Sequence, residues 1–244
     1  MDDFCIEVED LHKSFKGEEV LRGISLKILR GKITVILGKS GVGKSVLLKH
    51  FIGLLKPDRG RVFVDGMDIT ALPPPELRKV REKFGMLFQS AALFDSMTVF
   101  ENVAFPLVEH TSYDRNKIRE IVLNKLALVG LHGVEDKMPS ELSGGMRKRV
   151  GLARAIALEP EILLYDEPTT GLDPVMARSV DNLIIETQER LKITSVVISH
   201  DIMSALEIAD TVVMLDKGKV IFEGKRDEFM SCSHPAVVEF MGVR

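Results

Sequence analysis

The sequence predicts an α/β fold built on a mostly parallel sheet. It adds an antiparallel β subdomain at the N-terminus and an inserted helical subdomain. Three observations carry this. Short, largely apolar runs recur at 33–37, 84–88, 161–165 and 195–199, the first of them rich in β-branched residues, the pattern of strands buried on both faces. Helical patterns separate them, which favours right-handed crossovers in a parallel sheet. Before the first run, the segments at 4–8 and 24–28 alternate in part, as half-buried strands do.

In chain order, Phe4-Cys5-Ile6-Glu7-Val8 and Ile24-Ser25-Leu26-Lys27-Ile28 are the first strands, with the polar stretch Lys13–Gly17 between them. Ile33–Leu37 is a buried strand, and Val46–Ile52 continues in a helical pattern. Gly60–Gly66 predicts a strand ending in an Asp-Gly turn. Pro75 suits the first position of a helix reaching about Lys83, and Phe84–Gln89 is the next core strand. From Ser90 to Leu158 the character is helical. Ile118, Ile121, Val122, Leu126 and Val129 mark one helix face within 114–129, and a second helix is expected from about Met146 to Leu158. Glu161–Tyr165 and Ser195–Ser199 are core strands flanking a helix that starts at Pro174, and Thr211–Leu215 with Lys219–Phe222 forms a hairpin. The whole is one domain over 1–244. Its α/β core and β subdomain come from 1–89 and 159–244, and its helical subdomain from 90–158.

Gly38-Lys39-Ser40-Gly41-Val42-Gly43-Lys44-Ser45 fits the phosphate-loop spacing of Gly, four free positions, Gly-Lys-Ser. Glycines let backbone N–H groups turn inward around phosphate oxygens. Lys44 supplies charge to β and γ phosphates, and Ser45 offers a hydroxyl to Mg²⁺. A helix opening at Lys44-Ser45-Val46 would aim its free N–H groups at the same anion. The core is therefore of the phosphate-loop NTPase type.

Asp166-Glu167 supplies the acidic pair such a loop requires: Asp166 to hold Mg²⁺, Glu167 to activate the attacking water. Gln89 ends an apolar strand, where its amide could bind Mg²⁺ or water, or be an ordinary surface glutamine. His200 could bond a γ-phosphate oxygen and orient the water, or be structural. Phe15 could stack on adenine or pack in a core. Leu142-Ser143-Gly144-Gly145 is a second glycine turn opening a helix, hence a second anion site. One nucleotide needs only one loop, so a second γ-phosphate site points to two chains sharing nucleotides.

Composition narrows the field. A 244-residue chain that is 45% hydrophobic can bury a large core. Its charge of −3, with both signs well mixed, does not favour nucleic acid as a partner. Cys5 and Cys232 have no metal-ligand spacing and predict no disulfide, in a reducing compartment. Met1-Asp2-Asp3 leads into no signal-peptide pattern. No apolar run approaches the length of a spanning helix, roughly 20 residues. Work at a membrane would need spans supplied by another chain.

These motifs, in this order and over essentially the whole chain, resemble the ATP-binding-cassette ATPases. The resemblance covers the phosphate loop, Gln89, Leu142–Gly145, Asp166-Glu167, Gly171-Leu172-Asp173 and His200. It implies a head-to-tail homodimer binding two ATP with Mg²⁺. Ser143, Gly144 and Gly145 of one chain would face the γ-phosphate held by the other. Phe15 would stack on adenine, and Asp173 would couple the two sites.

The stretches Met86–Leu107 and Met138–Met146 are similar to those of the Mla-type bacterial ATPases. That implies phospholipid transport between inner and outer membranes, from the cytoplasmic face of the inner membrane. The partners would be an MlaE-like permease and a periplasmic MCE-domain protein of the MlaD type, with the membrane reached through partners only. The alternatives are the ATPase of an amino-acid or other small-solute importer, and a non-transport cassette protein of the cell-division type. Two departures stand out. Lys39 occupies a position where the family often has proline, and is expected to point outward. The chain stops at Arg244, short of a C-terminal tail that helps hold some Mla-type dimers.

Overall fold

β1 (Phe4–Phe15) and β2 (Glu18–Leu29) form an antiparallel hairpin. The computed structural model describes residues 3–242, so Met1-Asp2 and Arg244, on which the leader and tail expectations rest, lie outside the described residues. Both strands run well past the predicted segments and meet at Lys16-Gly17, where both residues have positive φ (50° and 86°). That is the two-residue turn whose twist suits a hairpin. The polar stretch read as a connection is strand as far as Phe15, where the ladder with β2 continues through Lys13↔Leu21 and Phe15↔Glu18. His12, just before it, pairs across the strands with Glu19 at 3.0 Å.

β3 (Ile33–Leu37) is buried at every position and leads through the glycine loop to α1 (Lys44–Phe51). β4 (Arg59–Val64) pairs antiparallel with β1 and turns at Asp65-Gly66 into β5 (Met67–Asp68), as expected. α2 (Pro74–Arg81) starts one residue before the expected Pro75. Pro73 is held extended at ψ 156° because it precedes a proline, and so becomes the cap.

By compactness the chain forms two units. One is the N-terminal part to Glu82 together with the C-terminal part from Thr194; the other is Lys83–Ile193. The second unit opens with β6 (Phe84–Leu87), shorter than the strand expected to reach Gln89. α3 (Val99–His110) is started by a capping box of Thr98 and Glu101, and α4 (Arg115–Leu128) by Asp114. α5 (Gly144–Ala155) begins two residues before the expected Met146, because Ser143 takes the N-cap and both glycines join the first turn. β7 (Ile162–Asp166) pairs parallel with β6, and α6 (Pro174–Leu191) follows with Asp173 as its cap. Between 90 and 158 the described regular elements are all helical.

The first unit is completed by β8 (Thr194–Ser199), α7 (Ile202–Ile208), β9 (Thr211–Asp216), β10 (Lys219–Gly224), α8 (Arg226–Met230) and α9 (Pro235–Met241). β3 lies between β8 and β9 and is parallel to both, while β10 returns antiparallel on β9. The architecture is the expected α/β fold: mainly parallel pairing, an antiparallel N-terminal sheet and a helical segment. Cys5 and Cys232 are free thiols. Among the described residues no helix is long and apolar enough to cross a membrane.

Candidate functional site

In the first unit the phosphate loop springs from the buried end of β3. Gly38 (φ 153°), Gly41 (82°) and Gly43 (105°) all lie at positive φ. Side chains resist such backbone conformations. The first and last glycines are also crowded. A Cβ on Gly38 would lie 2.5 Å from the Leu215 carbonyl oxygen, and one on Gly43 2.7 Å from Leu21 Cδ2. At Gly41 a Cβ would meet nothing within 4 Å, so the middle of the loop faces open space.

Lys44 is buried and folds back over the loop. Its Nζ donates to the carbonyls of Gly38 (2.6 Å) and Lys39 (3.1 Å). Ser45 and Val46 fall in the first turn of α1, which has no side-chain cap and no acidic residue. The N-terminal potential there is left positive for an anion. Lys39 does point outward, where it pairs with Glu239 of α9 at 2.6 Å.

His200 follows β8 and is exposed. The register Leu37↔Ser199 sets it beside Gly38 at the same strand ends. Phe15 is 41% exposed at the tip of β1, so it is not a core aromatic. Its ring lies 5.6 Å from Lys13 Nζ. The turn after Phe15 and the outer arc Ser40-Gly41-Val42 line one cleft of about 830 Å³, with Glu18, Val20 and Lys217.

In the second unit the register Leu87↔Tyr165 brings Gln89 abreast of the acidic pair at the ends of β6 and β7. Glu167 sits at φ 48°. That is unusual for a residue with a side chain, and strain of this kind clusters at functional sites. The Glu167 Oε2 accepts from Thr170 Oγ at 3.1 Å. Ser143, exposed, accepts the Met146 N–H at 3.3 Å as cap of α5. Gly144 and Gly145 lie against Leu172 and Met176, where Cβ atoms would come within 3.2 and 3.6 Å. Asp173 accepts the N–H groups of Val175 and Met176, each at 3.0 Å, and so starts the next helix.

Sequence reasoning missed the polar clasp behind Gln89. Lys148, buried on α5, donates to the Gln89 carbonyl. Burial pushes its pKa down, with the charge of Glu167 acting the other way. Arg154 on the same helix, also pushed down by burial, binds the carbonyls of Ala91 and Ala92. Beyond this segment, α3 and α4 enclose a mainly apolar groove of about 800 Å³. Its lining includes Met97, Phe100, Ala104, Phe105, Val108 and Arg119.

Comparison with known proteins agrees with the geometry. The family model for the ABC transporter matches residues 21–170. The intermembrane phospholipid transport system ATP-binding protein MlaF of Haemophilus influenzae is 46% identical over 99% of this chain and 91% of its own length. The probable ribonucleotide transport ATP-binding protein mkl of Mycobacterium tuberculosis is 45% identical over 98% of this chain and 67% of its own. A dimeric ATP-binding cassette solved in a post-hydrolysis state with ADP and Pi superimposes with a TM-score of 0.82 at 33% identity, over 91% of this chain and 98% of that one. With a phosphate loop, an acidic strand end, a capped glycine signature and near-full-length relatives in agreement, the chain belongs to the ABC transporter ATPase family.

Proposed function

We propose that this chain is the ATP-hydrolysing subunit that powers phospholipid transport between the inner and outer membranes through a separate integral-membrane permease. The observation that carries this is the near-full-length similarity to the phospholipid-transport relative. The chain would act as a homodimer at the cytoplasmic face of the inner membrane, beside an MlaE-like permease and an MlaD-like periplasmic protein. The apolar groove between α3 and α4 is the seat proposed for the permease.

The residues fit ATP and Mg²⁺. The open face of the loop at Gly41 and the uncapped α1 suit a phosphate chain. Ser45, Asp166 and Gln89 are oxygen donors, which a hard cation prefers. Among the described residues no group of three His, Cys, Asp or Glu could hold a metal alone. That suits a cation held by few protein oxygens together with nucleotide phosphates. When bound, Mg²⁺ neutralises charge on the phosphate oxygens.

The protein's own groups then divide the work. Phe15 stacks on the base. The amides of residues 38–46 and Lys44 bind the phosphates. Glu167 takes a proton from the attacking water, a contribution of about 10²–10⁴ in rate. His200 bonds the γ-phosphate and orients that water. Ser143, Gly144 and Gly145 bind the γ-phosphate held by the partner chain, and Asp173 couples the two sites.

The test is reconstitution of the ATPase with its permease in vesicles carrying labelled phospholipid. ATP should drive lipid transfer, and Lys44→Ala should abolish both transfer and hydrolysis. Vigorous ATP turnover by the intact complex with no phospholipid movement would sink the lipid assignment. The name of the mycobacterial relative supports a second reading, transport of another solute, which ribonucleotide flux in the same vesicles would reveal.

A further inference from the structure

The segment between β6 and α3 is gripped from one helix. From α5, Lys148 holds the carbonyl of Gln89. Arg154 holds two successive carbonyls, Nη2 to Ala91 at 2.8 Å and Nη1 to Ala92 at 2.8 Å. Its guanidinium also lies 5.8 Å from the ring centre of Phe94. Between the two cations, Gly151 lets the helix backbone lie against the segment. A Cβ there would stand 2.9 Å from Leu87 Cδ1 and 3.1 Å from Ala91 Cβ. Ala91 and Ala92 both have positive φ, 61° and 46°. Side-chain-bearing residues rarely adopt such a pairing.

The far end of the segment is held just as firmly. Asn102 of α3 is fully buried. It accepts the Phe94 N–H at 2.8 Å and donates to the carbonyls of Phe94 and Met97, each at 3.1 Å, and of Thr98 at 3.0 Å. Its Oδ1 lies 3.5 Å from Arg154 Nη1, which closes the circuit.

Desolvating a buried lysine and a half-buried arginine on backbone carbonyls is an expensive way to anchor a loop, since desolvation is only partly offset. An apolar side chain would join the same surfaces more cheaply. A guanidinium fork adds fixed orientation, holding two acceptors in one plane relative to the helix. The helix that carries the fork is the one capped by Ser143. The segment it grips runs into the helix that floors the apolar groove.

We propose that Lys148 and Arg154 are positioning residues that make the segment after Gln89 move as one body with the signature helix, so that displacement at Ser143 reaches the permease groove undiminished. This rests on the reading of the chain as a transporter ATPase. Neither residue takes part in hydrolysis. Their loss separates ATP turnover from transport without stopping turnover.

The experiment uses the intact complex in vesicles and reads both ends of the coupling. Arg154→Gln removes the fork, and Arg154→Lys keeps the charge but loses the rigid planar pair of nitrogens that fixes the two carbonyls in one orientation. Ala92→Gly, at an exposed position, relieves the left-handed strain with no cation. Soluble ATPase activity of the variants should stay within about twofold of wild type, while lipid transferred per ATP falls at least about tenfold in Arg154→Gln and severalfold in Arg154→Lys. Adding Ala92→Gly to Arg154→Gln should raise the melting temperature and leave coupling broken.

Wild-type transfer per ATP in Arg154→Lys, or recovery of coupling by Ala92→Gly, would overturn the proposal and leave a purely structural clasp. Should Arg154→Gln fail to fold, Arg154→Lys alone decides. The wild-type arm reports separately on the parent reading: no ATP-driven lipid transfer there removes the transport assignment, and the positioning role with it.

Discussion

Gly38→Ala tests the claim that the phosphate loop is shaped by its approach to β9. Two costs add. The backbone at φ 153° lies where a side chain is strained, worth about 1–3 kcal/mol. The new Cβ would also stand 2.5 Å from the Leu215 carbonyl oxygen and 2.9 Å from Val42 Cγ2, and forcing an atom into such a space costs about 1–3 kcal/mol. A carbonyl oxygen in a strand cannot swing aside as a side-chain tip does. The total of about 2–6 kcal/mol, at roughly 2–4 °C per kcal/mol for a chain of this size, is a fall of about 4–24 °C in melting temperature. The matched control is Gly41→Ala. Its φ of 82° carries strain but its Cβ meets nothing within 4 Å, so only about 1–2 kcal/mol is lost. Function should follow the same order, because the Gly38 carbonyl anchors Lys44 Nζ at 2.6 Å. Thermal melts of both variants, with ATP affinity by calorimetry, settle the matter. If Gly38→Ala melts at or above Gly41→Ala, the close approach to β9 is not what that glycine is for.

Glu167→Gln keeps reach but removes the basic carboxylate, so hydrolysis should fall about 10²–10⁴-fold while ATP-loaded dimers accumulate on size exclusion; Asp166→Asn should weaken nucleotide binding and trap less dimer, and a monomeric, ATP-saturated Glu167→Gln would refute the assignment. Phe94→Glu should uncouple transport while soluble ATPase activity persists, because Phe94 is 42% exposed and sets its ring tilted against Phe105 at 5.0 Å; Val99, fully buried, is a packing residue, and its change to Glu should instead unfold the helical segment. His12 is bonded to Glu19 and Asp10, and these partners raise its pKa above the usual 6.5. Its stabilisation is full below the unfolded pKa of about 6.5 and lost as pH rises through the folded value; His12→Gln should flatten that slope in urea titrations carried upward from about pH 6.5.

The fold was legible where one local signal decided each element. β3 is apolar or β-branched at every position and β8 carries Val196-Val197-Ile198 at its centre, a pattern that suits a strand buried on both faces. Asp65-Gly66 and Asp114 are turn and cap chemistry that works over a few neighbouring residues. The hairpin of β1 and β2 was cut short because its outer half is stabilised across strands, by His12 with Glu19, a pairing no single segment displays. α7, α8 and α9 have five to seven residues, too few for a helical period to emerge. The start of α5 was misplaced by propensity: two glycines argue against helix, and the Ser143 cap outweighs them. Lys148 and Arg154 went unnoticed because a cation in a helical stretch is normally a solvated face. Their signal was their phase with Gly151, three residues from each, on the side that turns inward.

The motifs themselves were legible because each is contiguous; what joins them is strand register, which the sequence hides. Leu37↔Ser199 sets His200 beside Gly38, and Leu87↔Tyr165 sets Gln89 beside Glu167. In half-buried strands a one-residue slip is forbidden because it turns the apolar face outward. β3 and β8 are buried on both faces, so that safeguard is absent and register must be fixed elsewhere. The structure fixes it at the strand starts. The Asp210 carboxylate accepts the Ile33 N–H at 2.9 Å, and the Lys32 carbonyl accepts the Ser195 N–H at 3.0 Å. In the other unit the Lys83 carbonyl accepts the Glu161 N–H at 2.9 Å. These contacts lie a full strand length from the chemistry, yet they decide which residue emerges at the far end. The Lys32 carbonyl, outside every motif, is therefore part of what places His200 beside Gly38, while Asp210 does the same for the pairing of β3 with β9.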